Sequence, residues 1–172
     1  TGGFFLGPRD FYERLRTMPP QELAKIDMTR IDFINQLYGQ GDLKRAQRRK
    51  GRFMNSTMIV TLLGAACSDA LESGQVVSGV GGQYNFVAMS HALPDARLLM
   101  MLRATHDNKD GLRSSIVWSY GHITIPRHLR DVVITEYGVA DLRGQSDSEV
   151  IKRLIAIADS RFQDELVKQA KV

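Results

Sequence analysis

Three glycines within four positions, Gly79, Gly81 and Gly82, follow the apolar run Gln75-Val76-Val77 and precede Gln83-Tyr84-Asn85-Phe86. Glycine carries no side chain and costs backbone entropy, so this cluster marks a tight turn or a backbone held against something bulky. Residues 85–93 read as a helix, and the turn before it would leave unbonded amides facing an anion or a polarised carbonyl. An ordinary strand-to-helix turn is the other reading these residues allow.

The remaining chemistry-bearing residues exclude more than they assign. Of the four histidines, His91 falls on that helix, His106 lies in a stretch, 105–111, that reads as a polar loop, and His122 and His128 flank Pro126. No pair has the i,i+4 spacing with an intervening glutamate that makes a zinc helix, so no metal is expected. His122 and His128 read instead as hydrogen-bonding groups of loops. Cys67 is the only cysteine, which rules out an internal disulfide and a four-cysteine zinc site. Its context, Leu62-Leu63-Gly64-Ala65-Ala66-Cys67, is that of a small buried hydrophobe, and a reducing, cytoplasmic setting is expected.

The formal net charge of +4 is concentrated in Lys44-Arg45, Arg48-Arg49-Lys50 and Arg52, on a helix expected to start near Asp42. Such a run reads as a solvated helix face, with a patch that steers an anionic ligand as the alternative. Finger spacing, a helix-turn-helix and interleaved aromatics are all missing, so nucleic acid is not an expected partner. Neither is a membrane: no apolar run approaches the roughly 20 residues of a span, and the start has no signal-like pattern.

The elements that must position these residues divide near residue 50. A chain of 172 residues suits a single domain with a full core. Its opening, Thr1-Gly2-Gly3-Phe4-Phe5-Leu6-Gly7, reads as the interior of a longer protein, so an excised domain is expected. Residues 1–50 are mainly helical in pattern. Gly7-Pro8 leads into a helix over 9–16 that Pro19-Pro20 ends, and Ile31, Phe33, Ile34 and Leu37 face a second that Gly39 and Gly41 stop. Residues 51–172 read as an α/β core. The apolar runs 58–63, 75–77, 97–102, 115–118 and 131–135 suggest strands covered on both faces. Residues 147–158, capped by Ser146 or Asp147, and 161–170 supply helices, giving a layered sheet with flanking helices.

Several blocks taken together resemble a known family. Asn55-Ser56, Gly74-Gln75-Val76-Val77, Gly79-Val80-Gly81-Gly82-Gln83-Tyr84-Asn85-Phe86 and Val133-Ile134-Thr135-Glu136-Tyr137-Gly138-Val139-Ala140-Asp141-Leu142-Arg143-Gly144 are similar, in order, spacing and wording, to the carboxy-terminal domain of the acetyl-CoA hydrolase/transferase family. The resemblance spans most of residues 52–165. It implies a CoA-transferase (NagB/RpiA-like) fold, with an N-terminal domain of the same parent chain forming the other wall of the active site.

The resemblance also implies a chemistry. In the family a glutamate carboxylate attacks an acyl-CoA thioester, passes through an acyl anhydride and becomes a glutamyl-CoA thioester, which a small carboxylate or water resolves. A carboxylate is a weak nucleophile, so it must be aimed at a carbonyl whose developing charge is held by fixed donors. Gly81, Gly82 and Asn55 are the expected donors to that carbonyl. Gly79, Val80, Asn85 and Phe86 would complete the wall against coenzyme A, and Arg103, Lys109, Arg113 and Arg127 would meet its phosphates. Arg127 ranks first among these, presented by the stiff turn Ile125-Pro126-Arg127-His128.

The family's nucleophile block, of the type Gly-Ile-His-Thr-Glu, corresponds here to Gly2-Gly3-Phe4-Phe5-Leu6-Gly7, which holds no glutamate. The nucleophile therefore lies upstream of Thr1, or the chain belongs to a divergent branch. In both cases the fragment alone is expected to be inactive. Glu136 is the substitute within the chain, although the family places its block in a structural or pocket-forming role. A homo-oligomer is compatible with these features. The competing expectation is a non-catalytic CoA- or nucleotide-binding regulatory or protein-interaction domain.

Overall fold

The computed structural model describes residues 1–170, which form two compact units, Thr1–Ala46 and the remainder from Gln47. The first is helical: α1 (Arg9–Arg16), α2 (Pro20–Leu23), α3 (Ile31–Asn35) and α4 (Gly41–Gln47). Pro8 stands extended before α1, and Pro20 opens α2, where its missing N–H costs nothing. Asp10 in the first turn of α1, and Arg14 and Arg16 in the last, complement the helix dipole.

α3 stops at Asn35, well before the glycines expected to end it, because Gln36 turns extended at φ −133° and ψ 155°. The freed carbonyls go to Lys44. Its Nζ donates to Gln36 O at 3.0 Å and Tyr38 O at 2.7 Å and lies 4.1 Å from the centroid of the Phe33 ring. Lys44 is only 2 % exposed, so this member of the basic run is buried, whereas Arg45, Arg49 and Lys50 are exposed. A buried ammonium is tolerable only with such partners.

The second unit runs β1 (Arg52–Ser56), β2 (Ile59–Thr61), β3 (Ala66–Cys67), α5 (Gln83–Ala92), β4 (Arg97–Met101), β5 (Thr105–Asn108), β6 (Gly111–Ser114), β7 (Ile116–Val117), a 3-10 turn (Arg127–Leu129), β8 (Val132–Thr135), β9 (Gly138–Asp141), α6 (Asp147–Ala156) and α7 (Ser160–Ala170). The main sheet has the order β1-β4-β8-β9. Its first three strands are parallel, with Asn55 opposite Met100 and Met101 opposite Ile134, and β9 returns antiparallel to β8. α5 covers β1 and β4, while α6 packs on β9. β3-β2-β7 form a small second sheet, and β5-β6 a separate hairpin. The core joins these layers through Val60, Leu62, Val87, Leu98, Ile116, Val133, Val150 and Leu154, among others. The architecture is thus the expected mixed α/β fold of layered sheets and flanking helices.

Three local expectations differ. Residues 75–77 form no strand but an exposed loop with one bridge, Ala70 to Val76. Residues 105–111, read as loop, belong to the β5-β6 hairpin. β1 was not anticipated, because it lies at an end of the sheet and shows only a five-residue alternation of exposed and half-buried positions. Such polar edge strands carry little hydrophobic signal. Cys67 is buried as expected, its Sγ donating to Ala70 O at 3.1 Å.

Candidate functional site

Parallel β-strands deliver their chain ends to one edge of the sheet, and ligands of open α/β sheets bind outside the carboxyl ends of those strands. Here that edge is formed by Ser56, Met101 and Thr135, the last residues of β1, β4 and β8. A cleft of about 780 Å³ borders it, lined by Thr57, Met58, Arg103, His106, Ser115 and Glu136 among others. An adjoining cleft of about 980 Å³ shares His106, Asp107 and Tyr120 and adds Arg113, Trp118 and Phe162.

Glu136 and Tyr137 form the two-residue link between β8 and β9, which pair Thr135 with Gly138. This tip is anchored on both sides. Thr135 Oγ1 donates to Ile157 O at 2.7 Å and accepts from Tyr137 N–H at 3.1 Å, and the Tyr137 hydroxyl donates to Asp159 Oδ2 at 2.8 Å. Arg161, and then Tyr137, hold the Asp159 carboxyl far below its usual value, while the bond to Asp159 raises Tyr137. Glu136 Oε2 accepts the backbone N–H of Ala104 at 2.8 Å. Its carboxylate faces the cleft and also ties β8 to the chain leaving β4.

The glycine turn sits at the same edge. Gly82 precedes α5 with φ −89° and ψ 5°, and Gly81 adopts φ +60°. Among the described residues, no heavy atom lies within 4 Å of a Cβ built at Gly79 or Gly81. These glycines are therefore not demanded by close packing within the chain; Gly81 is demanded by its left-handed backbone. Gln83 Nε2 donates to Ser56 O at 2.9 Å, fastening the turn to the end of β1. Asn55, one residue before Ser56, has a buried Nδ2 with no hydrogen-bond partner among the described residues. Val80 is exposed and Asn85 half-buried, whereas the Phe86 ring meets Phe53 edge-on at 5.7 Å, a packing contact between α5 and β1.

The loop leading into the turn hangs from Asp69, whose carbonyl accepts Val77 N–H at 2.8 Å and Ser78 N–H at 3.2 Å. The buried Asp69 carboxylate accepts the Thr124 hydroxyl and meets His122 Nε2 at 3.2 Å. Those contacts, Thr124 first, lower its pKa. His122 is thus a hydrogen-bonding loop residue, as its context suggested.

The four expected phosphate partners separate into two groups. Arg103 lines the smaller cleft and Arg113 the larger, Arg113 standing opposite His106 in the β5-β6 register. Lys109 lies at the two-residue tip of that hairpin, between Asn108 and Gly111, where its N–H bonds Asn108 Oδ1 at 2.6 Å. Arg127 lines neither cleft. Its guanidinium pairs with Asp147 at 2.8 Å at the start of α6, a carboxylate shared with Arg130 at 3.0 Å. Sequence reasoning passed over two groups that the fold brings here. One is His106, whose Nδ1 lies 3.0 Å from Ser115 Oγ, and the other is Gln83. The first was hidden in a polar stretch, while a buried amide directly after a glycine pair was the only cue to the second. Among the described residues no group of three or more His, Cys, Asp or Glu side chains could hold a metal ion, and no helix is long and apolar enough to cross a membrane.

The parallel sheet with its helical cover, and the glycine turn at its carboxyl edge, define a domain of CoA-transferase type. The family model described as "Acetyl-CoA hydrolase/transferase C-terminal domain" matches residues 7–170, and the chain belongs to that family. It is 35 % identical over 171 residues to the "Probable butyrate:acetyl-CoA coenzyme A-transferase" of Syntrophomonas wolfei, covering 98 % of this chain and 36 % of that protein. To the succinyl-CoA:cyclohexane-1-carboxylate CoA transferase of Geobacter metallireducens it is 32 % identical over the same shares. The crystal structure of RipA from Yersinia pestis superposes with a TM-score of 0.75 at 29 % identity, over 98 % of this chain and 36 % of that one. A 4-hydroxybutyrate CoA-transferase from Porphyromonas gingivalis gives 0.63 at 25 % identity, over 85 % and 31 %. The chain spans just over a third of the length of these curated relatives.

Proposed function

We propose that this domain forms one wall of the active site of a cytoplasmic CoA-transferase or acyl-CoA hydrolase, and that an N-terminal domain of the same polypeptide forms the other. The observation that carries the reading is the juxtaposition at the end of β1. There Asn55, with an unpartnered donor, precedes Ser56, whose carbonyl holds Gln83 directly after a glycine turn that the chain's own packing does not explain. The amides of Gly81 and Gly82, with Asn55 Nδ2, would hold the thioester oxygen as a glutamate from outside residues 1–172 attacks the carbonyl. The thiolate leaves and returns to the acyl-glutamyl anhydride, releasing the acyl group as carboxylate and forming glutamyl-CoA. An acceptor carboxylate or water then resolves it. A preorganised donor to such an oxyanion contributes about 10²–10³ in rate.

Glu136 in this reading is a pocket residue, its Oε2 bonded to Ala104 N–H. Arg103, Arg113 and Lys109, gathered around the β5-β6 hairpin, are the groups that would meet the phosphates of coenzyme A. Arg127 is the weaker candidate because Asp147 already holds it. The test is a titration of the full-length protein with coenzyme A, desulfo-CoA and dephospho-CoA. Dephospho-CoA should bind more weakly than the other two, and Arg103→Ala or Arg113→Ala should reduce that difference. Affinities for all three that Arg103→Ala and Arg113→Ala leave unchanged would remove these cations from the site.

A further inference from the structure

Trp118 is the chain's only tryptophan, and the fold leaves it 38 % exposed in the larger of the two clefts. It follows β7 directly, at the carboxyl end of the parallel pair β2-β7. Tyr120 and, from the first turn of α7, Phe162 line the same cleft. The ring pairs of the described residues join Phe5, Phe11 and Tyr12, and Phe53 with Phe86, so none of the three cleft aromatics is engaged by another ring of the fold. Aromatic faces left beside water in a cleft make a platform for a planar ring, which stacks on them whatever its edge pattern.

The other lining groups narrow the choice of ring. Glu72, Asp107 and Glu165 contribute carboxylates, acceptors that suit an exocyclic amine. The cations lie at and beside the hairpin that both clefts share: His106 lines both, Arg113 faces it in the β5-β6 register, and Arg103 lines the smaller. Arg113 is in no ion pair among the described residues, whereas Arg127, Arg130, Arg143 and Arg161 are each held by an aspartate. An open guanidinium in the same cleft as a ring platform is what recognition of a nucleotide requires. At about 980 Å³ the cleft has the room, standing at the upper end of the roughly 300–1,000 Å³ of ligand sites. Neither Asn55 nor a glycine of the turn lines it, so it serves a part of the ligand other than the thioester.

We propose that the larger cleft is the subsite for the adenine of coenzyme A, with Trp118 as its stacking platform and Arg113 meeting the phosphates next to the base. This rests on the reading of the domain as one wall of an acyl-CoA site. A base stacked here adds affinity without touching the reacting carbonyl. Loss of the platform should therefore weaken substrates that carry the nucleotide more than those that lack it.

The experiment uses the full-length protein with an acyl-CoA and the matching acyl-pantetheine, which has the same thioester and no nucleotide, and takes the ratio of their kcat/KM values. Trp118→Ala should lower that ratio about tenfold, and Trp118→Phe, which keeps a ring, should restore most of it. In wild type, adenosine 3′,5′-bisphosphate should compete with acyl-CoA and quench a component of the tryptophan emission that Trp118→Phe lacks. A ratio unmoved by Trp118→Ala, whether both rates hold or both fall, overturns the subsite, and so does the absence of competition in wild type. ATP that quenches the same emission without competing with acyl-CoA would make the cleft a site for free nucleotide and equally overturn the assignment. A wild-type protein that neither binds CoA nor turns over any acyl-CoA would instead refute the reading on which the proposal rests.

Discussion

A methyl group added at Gly79 or at Gly81 tests whether the turn is built for a ligand or for the fold. Gly81 has φ +60°, and a side chain there costs about 1–2 kcal/mol of left-handed strain. No clash adds to it, because no heavy atom of the described residues comes within 4 Å of the new Cβ. For a domain of this size each kcal/mol lowers Tm by about 2–4 °C, so Gly81→Ala should melt about 2–8 °C lower. Gly79 is not in the left-handed region and is equally open, so Gly79→Ala should hold or slightly raise Tm through the loss of unfolded-state entropy. If the open space belongs to acyl-CoA, both variants should lose turnover in the full-length enzyme by at least tenfold, although only one loses stability. Differential scanning calorimetry and steady-state thioester turnover on the same preparations decide. Full activity in Gly79→Ala, with a loss in Gly81→Ala that cooling restores, would refute the reasoning and leave the turn a structural joint.

Two further outcomes are expected. The fragment of residues 1–172 should fold but not hydrolyse acyl-CoA, since half a cleft forfeits the positioning that contributes several kcal/mol; hydrolysis that Glu136→Gln abolishes would make Glu136 the nucleophile. Asp141, whose carboxyl is lowered from 3.8 to about 2 chiefly by the Arg143 side chain, should stabilise the fold above its unfolded pKa and lose that contribution as pH falls toward 2. Asp141→Asn should therefore be less stable than wild type at pH 7, by no more than about 1 kcal/mol for so exposed a pair; urea titrations showing an undiminished gap at pH 2 would contradict it.

What could be read from the residues alone depended on how local each determinant was. α1 and α6 were legible because Pro8 and Ser146 punctuate them, and Ser146 Oγ does accept Glu149 N–H, at 3.4 Å. β4 and β8 were legible as apolar runs. β1 was not, since its pattern is short and its neighbours are a basic run, and with it went the means of seeing that Gln83 bonds the end of the strand that carries Asn55. Lys44 was misread for a related reason. A charge in a sequence signals solvent, and only the turn of the chain at Gln36 shows that two carbonyls and a ring await it. In the site, the glycine turn and its neighbouring helix were visible, but Glu136 could not be seen to accept Ala104 N–H. That bond joins the link between β8 and β9 to the chain leaving β4, and no periodicity encodes it.

The register of the main sheet has a consequence for how the molecule assembles. The β8-β9 hairpin pairs near neighbours, Thr135 with Gly138, whereas β1 must find β4 across a long crossover, Arg52 meeting Arg97. Closing so large a loop delays the contacts that repay it. When the whole chain refolds, the hairpin carrying Glu136 should therefore form early and the pairing of the strand that carries Asn55 late. During the interval the edge of β4 is an open template for strands of other chains. Refolding yield should accordingly be limited by concentration, and β1 is the strand whose arrival ends the hazard.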